Sequence, residues 1–291
     1  MSADQALRDG NLDAALAELQ QQVRAKPADS KLRVFLFQLL IVQGQWDRAL
    51  TQLNVSGELD AGTLAMVQTY REALRCEALR QEIFAGKRSP MFFGEPEQWM
   101  ALLTESLRLA VKGEGEQADK LRAEAFDAAP TTSGTISTRV VGGKATEASP
   151  PEPFAWIADA DQRLGPVCEA IVNGRYYWIP FHRISRIDVE PPADLRDVVW
   201  TPVHFVWTNG GDTVGLMPTR YPDSHNHPDP LIRLARKTDW TQQPGSDTLW
   251  GVGQRMLATD AGEFPLMDVR CITLDSPLDL APPPAPQETH G

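Results

Sequence analysis

The chain predicts an α+β fold, a stack of paired helices followed by a β-rich domain, and three observations carry that expectation. Aligned on itself, Asp9-Gly10-Asn11-Leu12-Asp13-Ala14-Ala15-Leu16 falls over Gln43-Gly44-Gln45-Trp46-Asp47-Arg48-Ala49-Leu50, an offset of 34 residues, which is the tetratricopeptide (TPR) period. From Phe154 to Pro180 the pattern changes to short apolar and aromatic runs separated by polar turns, with Asn173-Gly174 supplying the two-residue turn of a type I′ hairpin. Between these regions, Thr131 to Pro153 is rich in Thr, Ser, Gly and Pro and has no helical period. That composition reads as a linker.

In the repeat region a glycine ends one helix, a short polar turn follows, and small alanines let the next helix pack closely. Helices are expected over about 3–9, 12–25, 31–43 and 46–53, with Pro27 stopping the chain and Asp29 or Ser30 available as N-cap for the third. The repeat then loosens, because position 78 is Ala where a third glycine would fall. Residues 61–85 read as one longer helix closed by Gly86. Gly94-Glu95-Pro96 opens another that runs to about Lys112, and 116–128 forms the last. Residues 1–130 are therefore a TPR-like helical domain, a form that buries apolar surface between neighbours and usually presents a groove to a peptide or helix.

The β-rich domain, residues 154–275, is expected to be antiparallel and barrel- or sheet-like. Strands are expected at 167–172 and 176–179, at 185–189, 198–207 and 213–217, then at 256–259 and 267–274, with Asn209-Gly210-Gly211-Asp212 marking a second hairpin. Trp156, Trp178, Trp200, Trp207, Trp240 and Trp250 fall here and read as its core. The end of the chain, 276–291 with PPPAP inside it, reads as a disordered tail.

Composition narrows the function. Lys and Arg number 28 against 39 Asp and Glu, a formal charge of -11, which removes the main driving force for binding nucleic acid. No window approaches 18 uninterrupted apolar residues and the N-terminus has no signal-like run, so a cytoplasmic location is expected, without membrane. The three cysteines, Cys76, Cys168 and Cys271, are far apart, which suggests neither a disulfide framework nor a zinc site. No nucleophile elbow, Walker lysine loop or H-E-x-x-H motif is present, and Gly251-Val252-Gly253 lacks the third glycine of a dinucleotide fingerprint.

Four polar clusters remain, two of them Pro218-Thr219-Arg220-Tyr221-Pro222 and the pair Thr238-Asp239-Trp240 with Gly251-Val252-Gly253-Gln254-Arg255, which match no catalytic motif. Asp159-Ala160-Asp161-Gln162-Arg163-Leu164-Gly165-Pro166 concentrates charge in a β frame. Asp159 and Asp161 beside Arg163 have the makings of a general acid and base pair or a metal site, and equally of a turn in which carboxylates cap backbone N–H groups. His225 and His227 lie in PDSHNHPD, whose H-x-H spacing is a weak metal signal without a distant third ligand. The alternative these residues support is a metal-dependent or small-molecule enzyme.

In order along the chain, FAWIADADQRLGP, YYWIPFHRI, LRDVVWTPV, LMPTRYPDS, RKTDW and GVGQRML, following a helical repeat region, resemble the ImpE family, also called SciE or TagJ, accessory proteins of bacterial type VI secretion systems. The resemblance implies a cytoplasmic, non-enzymatic adaptor with no cofactor. It implies as partner the small subunit of the contractile sheath, through that subunit's N-terminal helix, with a link to the sheath-recycling AAA+ ATPase. The 131–153 stretch and the histidine-bearing insertion at 223–229 are departures from the family pattern. Candidate partner-binding residues are Phe35, Leu39, Trp46 and Tyr70 in the helical half and Asp159, Asp161 and Arg163 in the polar turn. The turn itself is expected to be structural.

Overall fold

The structure, a computed structural model, describes residues 2–243 and 245–275; the expected tail lies outside them. Seven helices form the first half: α1 (Ala3–Arg8), α2 (Leu12–Ala25), α3 (Ser30–Val42), α4 (Trp46–Leu59), α5 (Leu64–Phe84), α6 (Gln98–Val111) and α7 (Gly115–Ala128), with a short strand, β1 (Met91–Phe92), between α5 and α6. The repeat has the expected chemistry. Gly10 and Gly44 sit at φ +75° and +68°, where a side chain would be strained, and end α1 and α3. Asn11 caps α2 by accepting from the Ala14 N–H, and Asp29 caps α3 by accepting from Lys31 and Leu32.

Leu12, Ala15, Leu19 and Val23 form one buried stripe on α2, the pattern of a helix with one covered face. From Leu36 to Val42 α3 is buried all round, because α2 and α4 flank it and the β-rich half closes over its end. α4 continues past its expected end near 53 to Leu59, and a 3-10 turn, Ala61–Thr63, leads into α5.

The second half supplies β2 (Gly134–Thr138), β3 (Glu152–Phe154), β4 (Ile157–Asp159), β5 (Val167–Val172), β6 (Arg175–Pro180), β7 (Ile184–Val189), β8 (Trp200–Trp207), β9 (Asp212–Pro218), a single-turn helix α8 (Pro230–Arg233), β10 (Thr238–Gln242), β11 (Leu249–Gly253), β12 (Met256–Thr259), β13 (Glu263–Pro265) and β14 (Val269–Leu274). Nine strands make one open sheet in the order β1-β6-β5-β9-β8-β7-β14-β2-β3. Among the described residues it is not closed into a barrel, and its pairs are antiparallel except β1 with β6. Two small sheets, β10-β11 and β13-β12-β4, complete the domain. Asn173 and Gly174 both take positive φ, 50° and 71°, as the type I′ turn between β5 and β6 requires.

One apolar cluster runs without a break from the helices into the sheet, joining Phe37, Tyr70 and Phe84 to Trp178, Trp200 and Leu216. A second, with Phe205, Ile187, Ile272 and Leu257, fills the opposite face. β5 is covered on both sides and every one of its residues is buried, which is why VCEAIV reads as a continuous run rather than an alternating one.

Two expectations need correction. The stretch 131–153 is not only a linker, because β2 and β3 lie within it and extend the main sheet through β14. Gly134 packs so closely there that an added Cβ would meet the Thr273 carbonyl oxygen at 2.0 Å. β2, built mostly of Gly, Thr and Ser, pairs with β14 more than a hundred positions away, and the three-residue β3 pairs only with β2, so neither leaves a local signature. Trp156 is 40% exposed, and Trp240 and Trp250 are half-buried, so the tryptophan core is centred on Trp178, Trp200 and Trp207. β10, mostly exposed with one apolar residue, and β11, in which two of the five residues are glycine, carry no strand signal in the sequence.

Candidate functional site

A carboxylate inside an apolar strand must find a partner, because burying an isolated charge costs far more than a fold can offset. Glu169 of β5 is such a group, fully buried among Val167, Cys168, Ala170 and Ile171. It is held from two sides. Arg80, reaching across from α5, donates through Nε and Nη2 at 2.6 and 3.1 Å, and Arg255, after β11, donates its Nη2 to the same carboxylate. Tyr176 adds its hydroxyl, and Trp178 donates to that hydroxyl at 2.8 Å. The two guanidinium groups hold the Glu169 carboxyl down at about 2, although burial alone would raise it.

Arg255 bridges to the polar turn. Its Nη1 meets Asp159 and its Nε donates to the Pro218 carbonyl at 2.8 Å. Asp159 also accepts from the Tyr221 hydroxyl at 3.1 Å and from the Asp161 N–H at 2.9 Å. Burial outweighs the Arg255 charge and, with Asp161 and Glu169 nearby, pushes the Asp159 carboxyl up to about 6. Asp161 accepts from the Arg163 and Gly251 N–H groups, both at 2.9 Å, and pairs with the Arg163 side chain. The Arg163 guanidinium lies over Trp250 and Phe84, 4.7 and 5.1 Å from their ring centroids. Both aspartates thus cap amides of the turn and hold arginines, as a structural turn does.

A fourth arginine has a different task. Arg220, just past β9, is buried and donates to the carbonyls of Ile41 and Val42 at 3.3 and 2.8 Å and to that of Arg233. It satisfies the last carbonyls of α3, at the negative end of the helix dipole. Burial without a carboxylate in contact draws its pKa down to about 10. Arg80 in turn donates to the Arg220 carbonyl at 2.9 Å. The helices and the sheet are therefore joined by charge as well as by apolar contact.

Of the predicted site residues, Asp159, Asp161 and Arg163 are brought together in this junction. Leu39 and Tyr70 are buried in the shared core, where Tyr70 packs on Trp200 at 6.0 Å. Phe35 and Trp46 keep part of their surface exposed, Trp46 lying 5.3 Å from the His225 ring. His225 docks on the α3–α4 turn, where an added Cβ on Gly44 would meet its ring at 2.1 Å, and burial lowers its pKa. His227 accepts from the Asp229 N–H at 3.1 Å. Among the described residues no group of three or more His, Cys, Asp or Glu side chains is arranged to hold a metal ion.

Sequence reasoning did not single out Arg80 or Glu169, and it met Arg220 and Arg255 only within the clusters 218–222 and 251–255, without giving them a role. A signal existed for one of them: a single acid in a six-residue strand that is otherwise apolar demands a buried counter-charge.

Outside the junction, a cavity of about 790 Å³ opens where the N-terminal part of α5 overhangs the sheet beyond the β5–β6 turn. Gln68, Thr69 and Glu72 form one wall, and Pro202, His204 and Val214 form the floor.

The ImpE protein family model matches residues 151–273, which include the polar turn, Glu169, Arg220 and Arg255, and a tetratricopeptide repeat model matches residues 6–73. Over 270 residues, 93% of this chain and 90% of the relative, the sequence is 52% identical to the type VI secretion system accessory component TagJ of Pseudomonas aeruginosa. The chain belongs to the ImpE family. A crystal structure of a Vibrio parahaemolyticus protein shares the fold at a TM-score of 0.80, with 25% identity, covering 94% of this chain and 97% of that one. The ImpE-matched region begins ahead of β3 and ends within β14. Three of the four junction arginines lie inside it, and Arg80 comes from the helical half.

Proposed function

We propose that this ImpE-family chain is a non-enzymatic accessory protein of a bacterial type VI secretion system, working in the cytoplasm as an adaptor. In this reading it binds the N-terminal helix of the small contractile-sheath subunit and links that subunit to the sheath-recycling AAA+ ATPase. The observation that carries the reading is the 52% identity, over nine-tenths of both chains, to a protein described as an accessory component of that system. A helix-repeat half fused to an open sheet supports it, since such a surface can seat an amphipathic helix through apolar anchors at i, i+3, i+4 and i+7. The carboxylates of the polar turn add support from the other direction. Asp159 and Asp161 already hold turn amides and guanidinium groups, and would have to release them before meeting a substrate.

Calorimetric titration of the purified chain with a synthetic peptide of the sheath subunit's N-terminal helix tests the reading. Binding in the micromolar range or tighter is expected; heats indistinguishable from dilution at several hundred micromolar peptide would overturn it. A parallel titration with the ATPase, with and without the sheath peptide, tests the second link.

A further inference from the structure

We infer that residues 220–236 form a strap across both helix-repeat turns, and that protonation of His225 releases its hold on the second of them. The strap is the stretch between β9 and β10 that contains α8, and it makes the stability of the α3–α4 turn depend on pH while the α1–α2 turn stays fixed.

The contacts of the strap recur with the period of the helices. Arg8 ends α1 and Val42 ends α3, 34 positions apart, as are Gly10 and Gly44 in the turns that follow. A helix leaves its last carbonyls without donors and carries partial negative charge there. Arg236 Nη1 donates to the Arg8 carbonyl at 3.2 Å, and Arg220 Nη1 donates to the Val42 carbonyl at 2.8 Å. Against each glycine the strap sets a side chain. A Cβ added to Gly10 would lie 3.8 Å from Pro230 Cγ, and one added to Gly44 would meet the His225 ring at 2.1 Å. One guanidinium and one packed side chain therefore tie each turn to the β-rich half.

The two ties differ in what can undo them. At the first turn the packed groups are Pro230 and Leu231, which do not titrate. At the second it is a half-buried imidazole, edge-on to Trp46 with the ring centroids 5.3 Å apart. Besides Gly44 and the Trp46 ring, His225 faces Glu77 and Arg80 of α5, Arg220 of the strap and Asp223 of its own turn, and these line with it a polar cavity of about 10 Å³. That is room for a single water and not for a counter-ion. Glu77 is already shared with Arg80 at 3.3 Å. Among the described residues Arg220 donates only to carbonyls, so its charge stands unneutralised beside the ring.

A proton added to the docked ring would bring a second cation into this site. Burial, and after it the Arg220 charge, hold the His225 pKa below its ordinary 6.5 against the pull of Glu77 and Asp223. A ring that leaves the site regains its ordinary affinity for the proton. The hold is thus complete above pH 6.5 and is lost as pH falls below it. The backbone favours release as well. Asp223 and Ala235 take φ of 61° and 53°, two of the three positive values among the described residues other than glycine. Strain of this kind persists only where surrounding contacts impose it, so a strap that loses its contacts relaxes.

Amide hydrogen exchange of the full-length chain at pH 7.5 and pH 5, with each rate divided by the intrinsic rate at that pH, tests the strap. The amides of residues 43–45 bond back to the carbonyls of Leu39, Leu40 and Ile41 and report the second turn; those of residues 9–11 bond to Gln5, Ala6 and Leu7 and report the first. Protection at 43–45 should fall about tenfold at pH 5, within the roughly thirtyfold limit set by an imidazole of ordinary pKa. Protection at 9–11 should change less than about twofold. His225→Phe keeps a ring beside Gly44 and Trp46 that takes no proton, and His225→Gln is neutral and polar. Each should abolish the pH dependence at 43–45, whatever protection it starts from. A fall that persists in both variants, a fall shared equally by residues 9–11, or constant protection in the parent would overturn the inference.

Discussion

Glu169→Gln is the sharpest probe of how the two halves are held together. Glutamine has nearly the same shape, so no cavity opens, and what is removed is the negative charge between Arg80 and Arg255. The folded structure holds this carboxyl at about 2 against an ordinary 4.5, so the unfolded chain takes up the proton first as pH falls. The stability it contributes is fully present above pH 4.5 and is lost as pH falls through 2. At about 1.4 kcal/mol per pH unit, that gap is worth about 3 kcal/mol at pH 7 and about 1 kcal/mol at pH 3. Urea unfolding followed by tryptophan fluorescence measures it directly, with Trp178 a reporter one hydrogen bond from Tyr176 and two from Glu169. A variant within about 1 kcal/mol of the parent at pH 7, or a difference that stays constant from pH 6 to pH 3, would refute the claim that this anion anchors the junction.

Asp159→Asn should show the opposite pH dependence. Its carboxyl is held up at about 6 against 3.8, so its contribution is complete below pH 3.8 and is lost as pH rises through 6; the variant should gain about 2 kcal/mol on the parent between pH 4 and pH 7, measured by the same unfolding series. Arg220→Met leaves the Val42 and Arg233 carbonyls without the donor that Arg220 supplies, and should cost about 2 kcal/mol and speed amide hydrogen exchange at residues 43–45 while the polar turn stays protected. A fragment of residues 1–130 exposes the Tyr70 and Phe84 faces that Trp200 and Trp178 cover; it should bind a hydrophobic dye and unfold without a sharp transition, whereas the full chain unfolds in one step.

Local patterns made much of the fold legible. The 34-residue offset located α1 through α4 because glycine and small-residue packing must recur wherever helix pairs stack. Asn173-Gly174 announced its hairpin because few other dipeptides tolerate two positive φ values. The polar turn was legible as a turn, since Asp, Gly and Pro have their own local chemistry. β2 and β3 were not, because Gly134–Thr138 owes its strand conformation to β14, far along the chain. The partners of the turn were also hidden: Asp159 meets Arg255, 96 residues on, and Arg80 meets Glu169, 89 residues on.

The sequence by itself determined the seven helices of the first half, the strands β5 to β9, β12 and β14 with the turns that bound them, the net acidity, and the ordered motifs of the ImpE family. These depend on periodicity and on backbone preferences within a few residues. Only the tertiary structure decided that the two halves share one core, that Arg80, Glu169, Arg255 and Asp159 converge inside it, and that α5 meets the sheet beside an open cavity lined by Glu72, His204 and Val214. Each depends on groups distant in sequence being desolvated together, and a charge in a strand states only that it needs a partner, never which one.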